Sequence, residues 1–218
     1  MQVQSNIGNV MDVQTTSVLR NTYALLSMTL VFSAFTGAIA IMTGAGPIGI
    51  MGFVFIIAAL FGVQFTKNSW LGLPMTFLFT GMMGYFTGPL VAMYAGLPNG
   101  AEIVTLAFGT TAIAFFGLSG YVLTTKKDFS FMGGFLFVGL LVAVVAMIAN
   151  IFLAIPALSL ALSSIVALLM CGYILYDTSR IVNGGETNYI SATISLYLDI
   201  INLFTSLLHL FGFALGDD

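Results

Sequence analysis

The sequence contains very little charge for its length. Of its 218 residues, 6% are Asp, Glu, Lys or Arg, whereas 59% are hydrophobic. Soluble globular domains carry about 25% charged residues, so this composition excludes a soluble domain and predicts a polytopic membrane protein. The five basic and eight acidic residues are spread over the whole chain, so we expect no nucleic-acid partner.

Cysteine and histidine occur once each. With Cys171 alone the chain cannot form an internal disulfide, and the apolar neighbours of this thiol predict that it packs as a small hydrophobic group. His209 alone cannot form a multi-histidine metal site. The last hydrophobic segment also lacks a lysine that could form a retinal Schiff base. We therefore expect no cofactor.

Seven hydrophobic segments are long enough to cross a membrane, because about 20 apolar helical residues span its hydrocarbon core. The sequence predicts an all-α polytopic protein in which residues 22–214 form one bundle of seven transmembrane helices. A short polar tail, residues 1–21, precedes the bundle, and its lack of early basic residues excludes a cleavable signal peptide. Residues 215–218 form a short tail at the other end. The predicted segments are 22–43, 47–66, 71–94, 102–124, 131–153, 157–180 and 190–214.

The basic residues support this count of seven segments. They are Arg20 before the first segment, Lys67 after the second, Lys126 and Lys127 after the fourth, and Arg180 after the sixth. All five therefore fall on one side of the membrane, and the loops on the other side contain no Lys or Arg. Since Lys and Arg concentrate in cytoplasmic loops, the N-terminus is predicted to be cytoplasmic and the C-terminus to lie outside.

Small residues recur in the third segment at helical spacing. Gly81, Gly84 and Gly88 lie three and four residues apart. Such a row of small residues lets two membrane helices approach closely. We expect these glycines to serve helix packing.

A polar stripe runs along the last hydrophobic segment. Ser195, Asp199, Asn202, Ser206 and His209 follow one another at steps of three or four residues, which places them on one face of a helix. An ionisable group inside a span costs about 2.5–3.5 kcal/mol on insertion scales, so it usually faces the protein interior and serves function. Asp199 lies about nine residues, or 13 Å, beyond the start of its segment, so surface solvation does not explain it.

Asp177, which closes the preceding segment, completes the candidate site with Asp199. If the two carboxylates meet in a low-dielectric interior, they would share one proton and form a pH-sensing latch. Counting from the hairpin turn places Ser195 opposite Asp177, one helical turn of about 5.4 Å from Asp199, so contact requires unequal helix ends. Alternatively, Asp177 pairs with Arg180, three residues later on the same helix.

Two intramembrane asparagines also remain open to two interpretations. Asn150 in the fifth segment and Asn202 beside Asp199 would extend the aspartates into a polar pathway. Alternatively, they form hydrogen bonds between neighbouring helices, which is the commoner role of intramembrane asparagine.

A Gly-x-Ser-Gly motif at residues 117–120 has the form found in rhomboid-type intramembrane proteases, with His209 as the conceivable base. Ser119 lies about 9 Å from the inner end of its segment, whereas His209 lies about 28 Å from the inner end of its own. A nucleophile and its base must lie within about 3 Å. This separation excludes the dyad, and we predict no catalytic residues and no enzyme.

Several motifs covering nearly the whole chain resemble one family. The strongest are LYDT at 175–178 and SLYLDIINLF at 195–204; the others are VLRNTY at 18–23, YVLTTKKD at 121–128, ANIFL at 149–153 and GGETNYI at 184–190. Through them the chain resembles the Bax inhibitor-1/YccA family of seven-span membrane proteins, and within it the bacterial YccA branch. The resemblance implies a bacterial inner-membrane location and a last helix surrounded by the other six.

The resemblance implies two functions. YccA-like proteins bind and restrain the membrane AAA protease FtsH, and the polar N-terminal tail would be a handle for such a protease. Other members of the family are associated with a pH-sensitive calcium leak at the positions of Asp177 and Asp199, whose oxygens are the ligands that calcium requires. Some members also place a basic residue near the inner end of the second span. Here Lys67 would either reach inward in its place or extend to the membrane interface.

Overall fold

A computed structural model of the chain describes the backbone of residues 2–47 and 49–216, and the side chains in these ranges from residue 13 onward. These residues form seven α-helices and one 3-10 turn, Ser130–Met132, and contain no strand. The helices are α1 (Gln2–Met42), α2 (Ile50–Thr66), α3 (Gly72–Ala95), α4 (Gly100–Thr125), α5 (Gly133–Leu153), α6 (Pro156–Val182) and α7 (Tyr189–Leu215).

The helix bounds confirm the predicted all-α, polytopic membrane fold. Each helix covers one predicted segment, and five segments are long and apolar enough to cross a membrane, whereas α2, with 17 residues, is a shorter apolar helix. The five are Val13–Met42, Gly100–Thr125, Ser130–Leu153, Pro156–Val182 and Tyr189–Leu215. The largest difference lies at the start of α1, which begins at Gln2, so the polar tail has a helical backbone continuous with the first span. Residues 217 and 218 of the predicted outer tail lie outside the described residues.

Local sequence signals explain where several helices end. Gly44 adopts a left-handed conformation (φ 63°) just after α1, and Gly184 does so (φ 74°) just after α6, as is common where a helix terminates. Two non-glycine residues, Lys126 after α4 and Ala154 after α5, adopt the same region with φ of 52° and 50°. Pro156 occupies the first turn of α6, where its missing N–H has no helical partner to lose.

The chain divides into two compact units. The first contains the chain through Met93 together with residues 184–197, and the second contains Tyr94–Asn183 and the rest of α7 from Leu198. Helix α7 therefore contributes one half to each unit. Of its residues 191–200, eight are buried and two are half-buried, so other side chains cover this stretch of α7 on nearly every face.

In the first unit, glycines bring the backbones of α1 and α3 into contact. A Cβ atom added at Gly84 would lie 2.1 Å from the carbonyl oxygen of Ser33, and one added at Gly88 would lie 2.6 Å from that of Gly37. At Gly81 the added atom would lie 2.6 Å from the ring of Phe32. The predicted role of these small residues in helix packing is therefore confirmed.

The first half of α7 is fixed within the same unit by a buried tyrosine. The hydroxyl group of Tyr197 donates a hydrogen bond to the carbonyl oxygen of Thr80 on α3 at 3.1 Å. Because a phenol has one proton, the 2.6 Å contact with Ser33 on α1 is donated by the serine hydroxyl. The ring also packs edge-on against Phe79. Three helices of the unit thus meet at one side chain.

Candidate functional site

The two candidate aspartates meet in the second unit. Asp177 on α6 and Asp199 on α7 are 9% and 5% exposed, respectively, and their side chains are hydrogen-bonded to each other. An ionised carboxylate can only accept hydrogen bonds, so this contact requires a proton on one of the two groups. The pair is therefore a proton-binding unit formed by two helices.

Unequal helix ends bring these two residues together. Asp177 lies five residues before Val182, the last residue of α6, whereas Asp199 lies ten residues after Tyr189, the first residue of α7. At a rise of 1.5 Å per residue, the two positions lie about 7.5 Å and about 15 Å from the ends of their helices. Because the two helix ends are unequal, Asp177 lies beside Asp199 rather than beside Ser195, one helical turn earlier.

Asp177 also forms the alternative ion pair with Arg180. The closest nitrogen of the guanidinium group lies 3.9 Å from Oδ1 of Asp177, and the arginine side chain is 35% exposed. The same guanidinium group lies over the ring of Tyr176, 5.6 Å from its centroid. Asp177 therefore lies between a partly solvated cation and the buried carboxyl group of Asp199, so the two interpretations of this residue are compatible.

One oxygen of the aspartate pair is left without a partner inside the protein. Oδ2 of Asp199 is buried and forms no hydrogen bond with any residue that the structure describes. Buried polar atoms are nearly always satisfied by protein, water or an ion. This oxygen is thus the point of the pair that can bind a water molecule or, once the shared proton is lost, a cation.

Sequence reasoning missed Tyr173 as a neighbour of the pair, and it did not identify the helix that Ser119 contacts. Tyr173 lies four residues before Asp177 on α6 and interacts electrostatically with both aspartates. Ser119 on α4 forms a 3.1 Å hydrogen bond with Thr178, the residue that follows Asp177. The four-residue spacing could have identified Tyr173, but no sequence pattern indicated that α4 contacts α6 at Ser119.

A polar cluster next to the pair attaches the α4–α5 loop to the end of α6. The Ser179 hydroxyl accepts a hydrogen bond from the amide of Phe129 at 2.8 Å and donates one to Asp128 at 3.4 Å. Asp128 also accepts bonds from the amide and hydroxyl groups of Ser130. These hydrogen bonds, led by the Ser130 hydroxyl, lower the pKa of Asp128, which lies outside the membrane spans. At neutral pH, Asp128 is therefore ionised while it holds the basic loop against the end of α6.

The rest of the predicted polar stripe follows α7 away from the aspartates. Ser195 and Asn202 are half-buried and Ser206 is buried. His209 is exposed, and its Nδ1 is hydrogen-bonded to the hydroxyl of Tyr94. The stripe thus connects two different polar environments within the membrane span.

Asn150 does not contact the aspartate pair. Its side-chain nitrogen donates to the Ser159 hydroxyl at 2.7 Å, and its side-chain oxygen accepts from the Ile155 amide at 3.1 Å. These bonds join the end of α5 to the start of α6. For Asn150, the structure agrees with the interpretation that it bonds neighbouring helices.

Lys67 forms its side-chain hydrogen bond with Gln64, three residues earlier, at 3.3 Å. Its carbonyl oxygen accepts a 3.2 Å bond from the side chain of Asn188, which also bonds Asn68 at 2.7 Å. These contacts lie within the first unit. They join the end of α2 to the residue that precedes α7, and both interpretations of Lys67 stay predictions.

The serine–histidine dyad is excluded by the contacts of its two members. Ser119 bonds Thr178, whereas His209 shares a cleft with Ser159. Thr178 and Ser159 lie on the same helix and are about 28 Å apart along its axis. Ser119 therefore acts in packing between α4 and α6.

The aspartate pair alone does not provide a complete calcium site. No group of three His, Cys, Asp or Glu side chains suited to a metal occurs among the described residues. Calcium takes six to eight oxygen ligands, and two carboxyl groups supply at most four. A calcium ion at the pair would need additional oxygens from water or the backbone.

Comparison with known proteins gives a consistent assignment. The family model described as inhibitor of apoptosis-promoting Bax1 matches residues 15–215. An uncharacterized membrane protein of Vibrio cholerae is 50% identical over 210 residues, covering 94% of this chain and 93% of the relative. A protein of Escherichia coli K12 named modulator of FtsH protease YccA is 46% identical over 208 residues, covering 93% of each chain. Its counterpart in Escherichia coli O6:H1, named inner membrane protein YccA, matches equally well.

Proposed function

Because the chain belongs to the Bax inhibitor-1 family, we propose that it is an inner-membrane protein that modulates an FtsH-type membrane protease. The observation that carries this proposal is the 46% identity to the Escherichia coli modulator, which extends over 93% of both chains. The family model also matches residues 15–215, so the similarity includes the loops as well as the spans. The protein then acts by binding the protease and restraining it.

The continuous helix α1 supports a specific route of contact with the protease. Its backbone is helical from Gln2, and the first apolar segment that the sequence predicts begins at about residue 22. Residues 2–12, which include Gln2, Gln4, Ser5, Asn6 and Asp12, therefore form the polar start of a helix that continues into the first span. We place this segment, 2–12, at the protease on the cytoplasmic side.

Purified FtsH reconstituted into liposomes with this protein provides the test. The rate of degradation of a membrane substrate should fall at least twofold as the protein is added, and deletion of residues 2–12 should remove this effect. The Asp199→Asn variant serves as the control that keeps the bundle and the tail, and it should restrain the protease normally. A degradation rate that is unchanged at every ratio of the full chain to FtsH contradicts the proposed modulation.

The basic residues support a membrane orientation with a cytoplasmic N-terminus and a C-terminus on the outer side. Labelling of intact cells can test this, because Cys171 is the single native thiol. In a Cys171→Ser background, Thr43→Cys should react with a membrane-impermeant maleimide added outside, whereas Lys127→Cys should react only after the cells are opened. The reverse pattern contradicts the proposed orientation.

A second function, a pH-sensitive calcium leak, is supported by the aspartate pair. The contact between Asp177 and Asp199 binds a proton inside the second unit, and Oδ2 of Asp199 is buried without a protein partner. Loss of the shared proton would leave two carboxylates in contact, and their repulsion would drive α6 and α7 apart. A cation that enters between them would relieve this repulsion.

Calcium flux into liposomes that contain only this protein separates the second function from the first. Flux should depend on pH between about 5 and 8, and Asp199→Asn should remove that dependence because the pair can no longer lose its proton. Ser164→Ala, an exposed position on α6, should retain the wild-type profile. Folded protein that gives no flux above that of empty liposomes refutes the leak and leaves the protease proposal intact.

A further inference from the structure

A second polar site lies in the second unit, where α5 ends and α6 begins, far from the aspartates. It is an open cleft of about 510 Å³ lined by Tyr94, Asn150, Ser159 and His209 together with apolar side chains. None of the residues that line it is Asp, Glu, Lys or Arg. The cleft therefore selects a ligand by hydrogen bonds and shape rather than by net charge.

The tautomer of His209 follows from its contact with Tyr94. Tyr94 is only 7% exposed, and a buried phenol normally donates its proton to an acceptor. Among the described residues, the hydrogen bond of the Tyr94 hydroxyl is to Nδ1 of His209, so the hydroxyl donates to this nitrogen. A neutral imidazole that accepts at Nδ1 carries its proton on Nε2. His209 therefore presents an N–H donor that is not used within the described part of the chain.

Asn150 supplies a second donor. Its side-chain nitrogen has two protons, and one of them is used in the 2.7 Å bond to Ser159. Its oxygen is occupied by the Ile155 amide. The cleft thus offers two N–H groups, from His209 and Asn150, and suits a ligand with acceptor oxygens.

The position of Tyr94 depends on a close approach to α7. A Cβ atom added at Gly212 would lie 2.1 Å from the Tyr94 ring, so glycine is required for the ring to pack there. The ring also meets the imidazole of His209 edge-on, with centroids 5.7 Å apart. The polar base of the cleft is therefore held rigidly by two helices.

The mouth of the cleft is apolar and exposed. Ile151 and Phe213, which line it, are 76% and 57% exposed. The site lies at the ends of the helices α5 and α7, which are apolar and long enough to cross a membrane, so it is at the depth where hydrocarbon gives way to headgroups. A ligand here meets N–H donors at one end and an apolar surface at the other.

We propose that this cleft binds one glycerophospholipid, whose ester and phosphate oxygens accept hydrogen bonds from His209 and Asn150 while an acyl chain lies along Ile151 and Phe213. The lack of charged residues implies that zwitterionic and anionic headgroups bind with similar affinity. This site is independent of the aspartate pair and of both proposed functions.

Native mass spectrometry of the purified full chain, titrated with phosphatidylethanolamine or phosphatidylglycerol of defined chain length, tests the proposal. The wild type should bind the first molecule of either lipid more tightly than any further lipid molecules. In His209→Phe, which keeps an aromatic ring and removes the donor, this affinity should fall about five- to tenfold, as loss of one hydrogen bond predicts. His209→Gln keeps an N–H donor and should stay within about twofold of the wild type.

Three controls make the outcome decisive. Ser164→Ala on the exposed face of α6 should not change binding. Tyr94→Phe removes the hydroxyl that fixes the tautomer, and a weakening of about two- to threefold is expected even if His209→Phe does not fold. Glycerol 3-phosphate is a soluble phosphate ester without acyl chains, and it should not displace the lipid at millimolar concentration. Unchanged affinity in folded His209→Phe or in Tyr94→Phe, or displacement by glycerol 3-phosphate, overturns the proposal.

Discussion

Asp177 and Asp199 form a hydrogen bond between two buried carboxyl groups on different helices. The bond holds one proton, and the position of Arg180 indicates which residue carries it. The guanidinium group lies 3.9 Å from Asp177 and favours the ionised form of that carboxylate. Asp199, which lies deeper in its span, is then the protonated donor. The pair is asymmetric, with the charge on Asp177 beside the guanidinium group and the proton on Asp199.

This asymmetry predicts different effects of two substitutions at Asp199. Asparagine provides an N–H donor to the Asp177 carboxylate in place of the acid, so Asp199→Asn should change the free energy of unfolding by less than about 1 kcal/mol. Alanine leaves the buried carboxylate without this partner, and Asp199→Ala should destabilise the protein by about 1–3 kcal/mol. Unfolding followed by circular dichroism in detergent measures both values. Equal destabilisation by the two variants would contradict the donor role of Asp199.

The sequence allowed the helices and the two aspartates to be predicted because both leave local signals. Apolar length defines the spans, and a lone carboxylate within a span indicates an interior position. The contact of Asp177 with Asp199 could not be predicted, since it depends on where the two helices end. Five residues of α6 follow Asp177, and ten residues of α7 precede Asp199. A change of one turn in either helix end would remove it, and the ends of helices are poorly determined by local sequence.

Other contacts depend on how the helices pack, and no sequence pattern predicts them. Ser119 lies in a motif with a catalytic form, yet its hydroxyl bonds Thr178 on the neighbouring helix. His209 lies on the same stripe as Asp199, but its hydrogen bond is to Tyr94, which is far from it in sequence. Helical periodicity gives the face on which a residue lies, and it does not give the neighbour that the face meets.

The contact between α1 and α3 predicts a large effect of one methyl group. In Gly84→Ala the new Cβ would lie 2.1 Å from the carbonyl oxygen of Ser33, and the backbone of α1 cannot move without disturbing its helix. Overpacking of this kind should cost about 1–3 kcal/mol. Gly109→Ala on α4 is the matched control, because nothing lies within 4 Å of the added atom. Thermal unfolding in the same detergent should show a lower midpoint for Gly84→Ala alone, and equal midpoints would refute the close approach.

The buried hydroxyl of Tyr197 predicts a second stability effect. Tyr197→Phe keeps the ring and removes the hydrogen bonds to Thr80 and Ser33, which leaves a buried hydroxyl and a carbonyl with fewer partners. The expected loss is about 1–3 kcal/mol of unfolding free energy. Tyr85→Phe, at a position that is 37% exposed, should change it by less than about 0.5 kcal/mol. If the two variants unfold alike, the Tyr197 hydroxyl does not join the helices.

The docking of the α4–α5 loop should depend on pH through Asp128. Its pKa is lowered in the folded protein, first by the Ser130 hydroxyl and then by the Ser130 amide. An acid with a lowered pKa stabilises the fold above its unfolded pKa of about 3.9, and this contribution is lost as the pH falls through the lower folded value. Docking should therefore be constant between about pH 5 and 8 and weaken below about pH 4.

Protection factors of the Phe129 and Ser130 amides, corrected for intrinsic exchange, report this docking because the two amides donate to Ser179 and Asp128. In the wild type they should fall in acid, whereas Asp128→Asn should remove the acid-dependent step and give weaker protection at neutral pH. Glu102→Gln, in the first turn of α4, should leave the profile unchanged. An acid-dependent step that persists in Asp128→Asn would show that another acid causes it. The aspartate pair would be the next candidate, because Ser179 follows Asp177 by two residues.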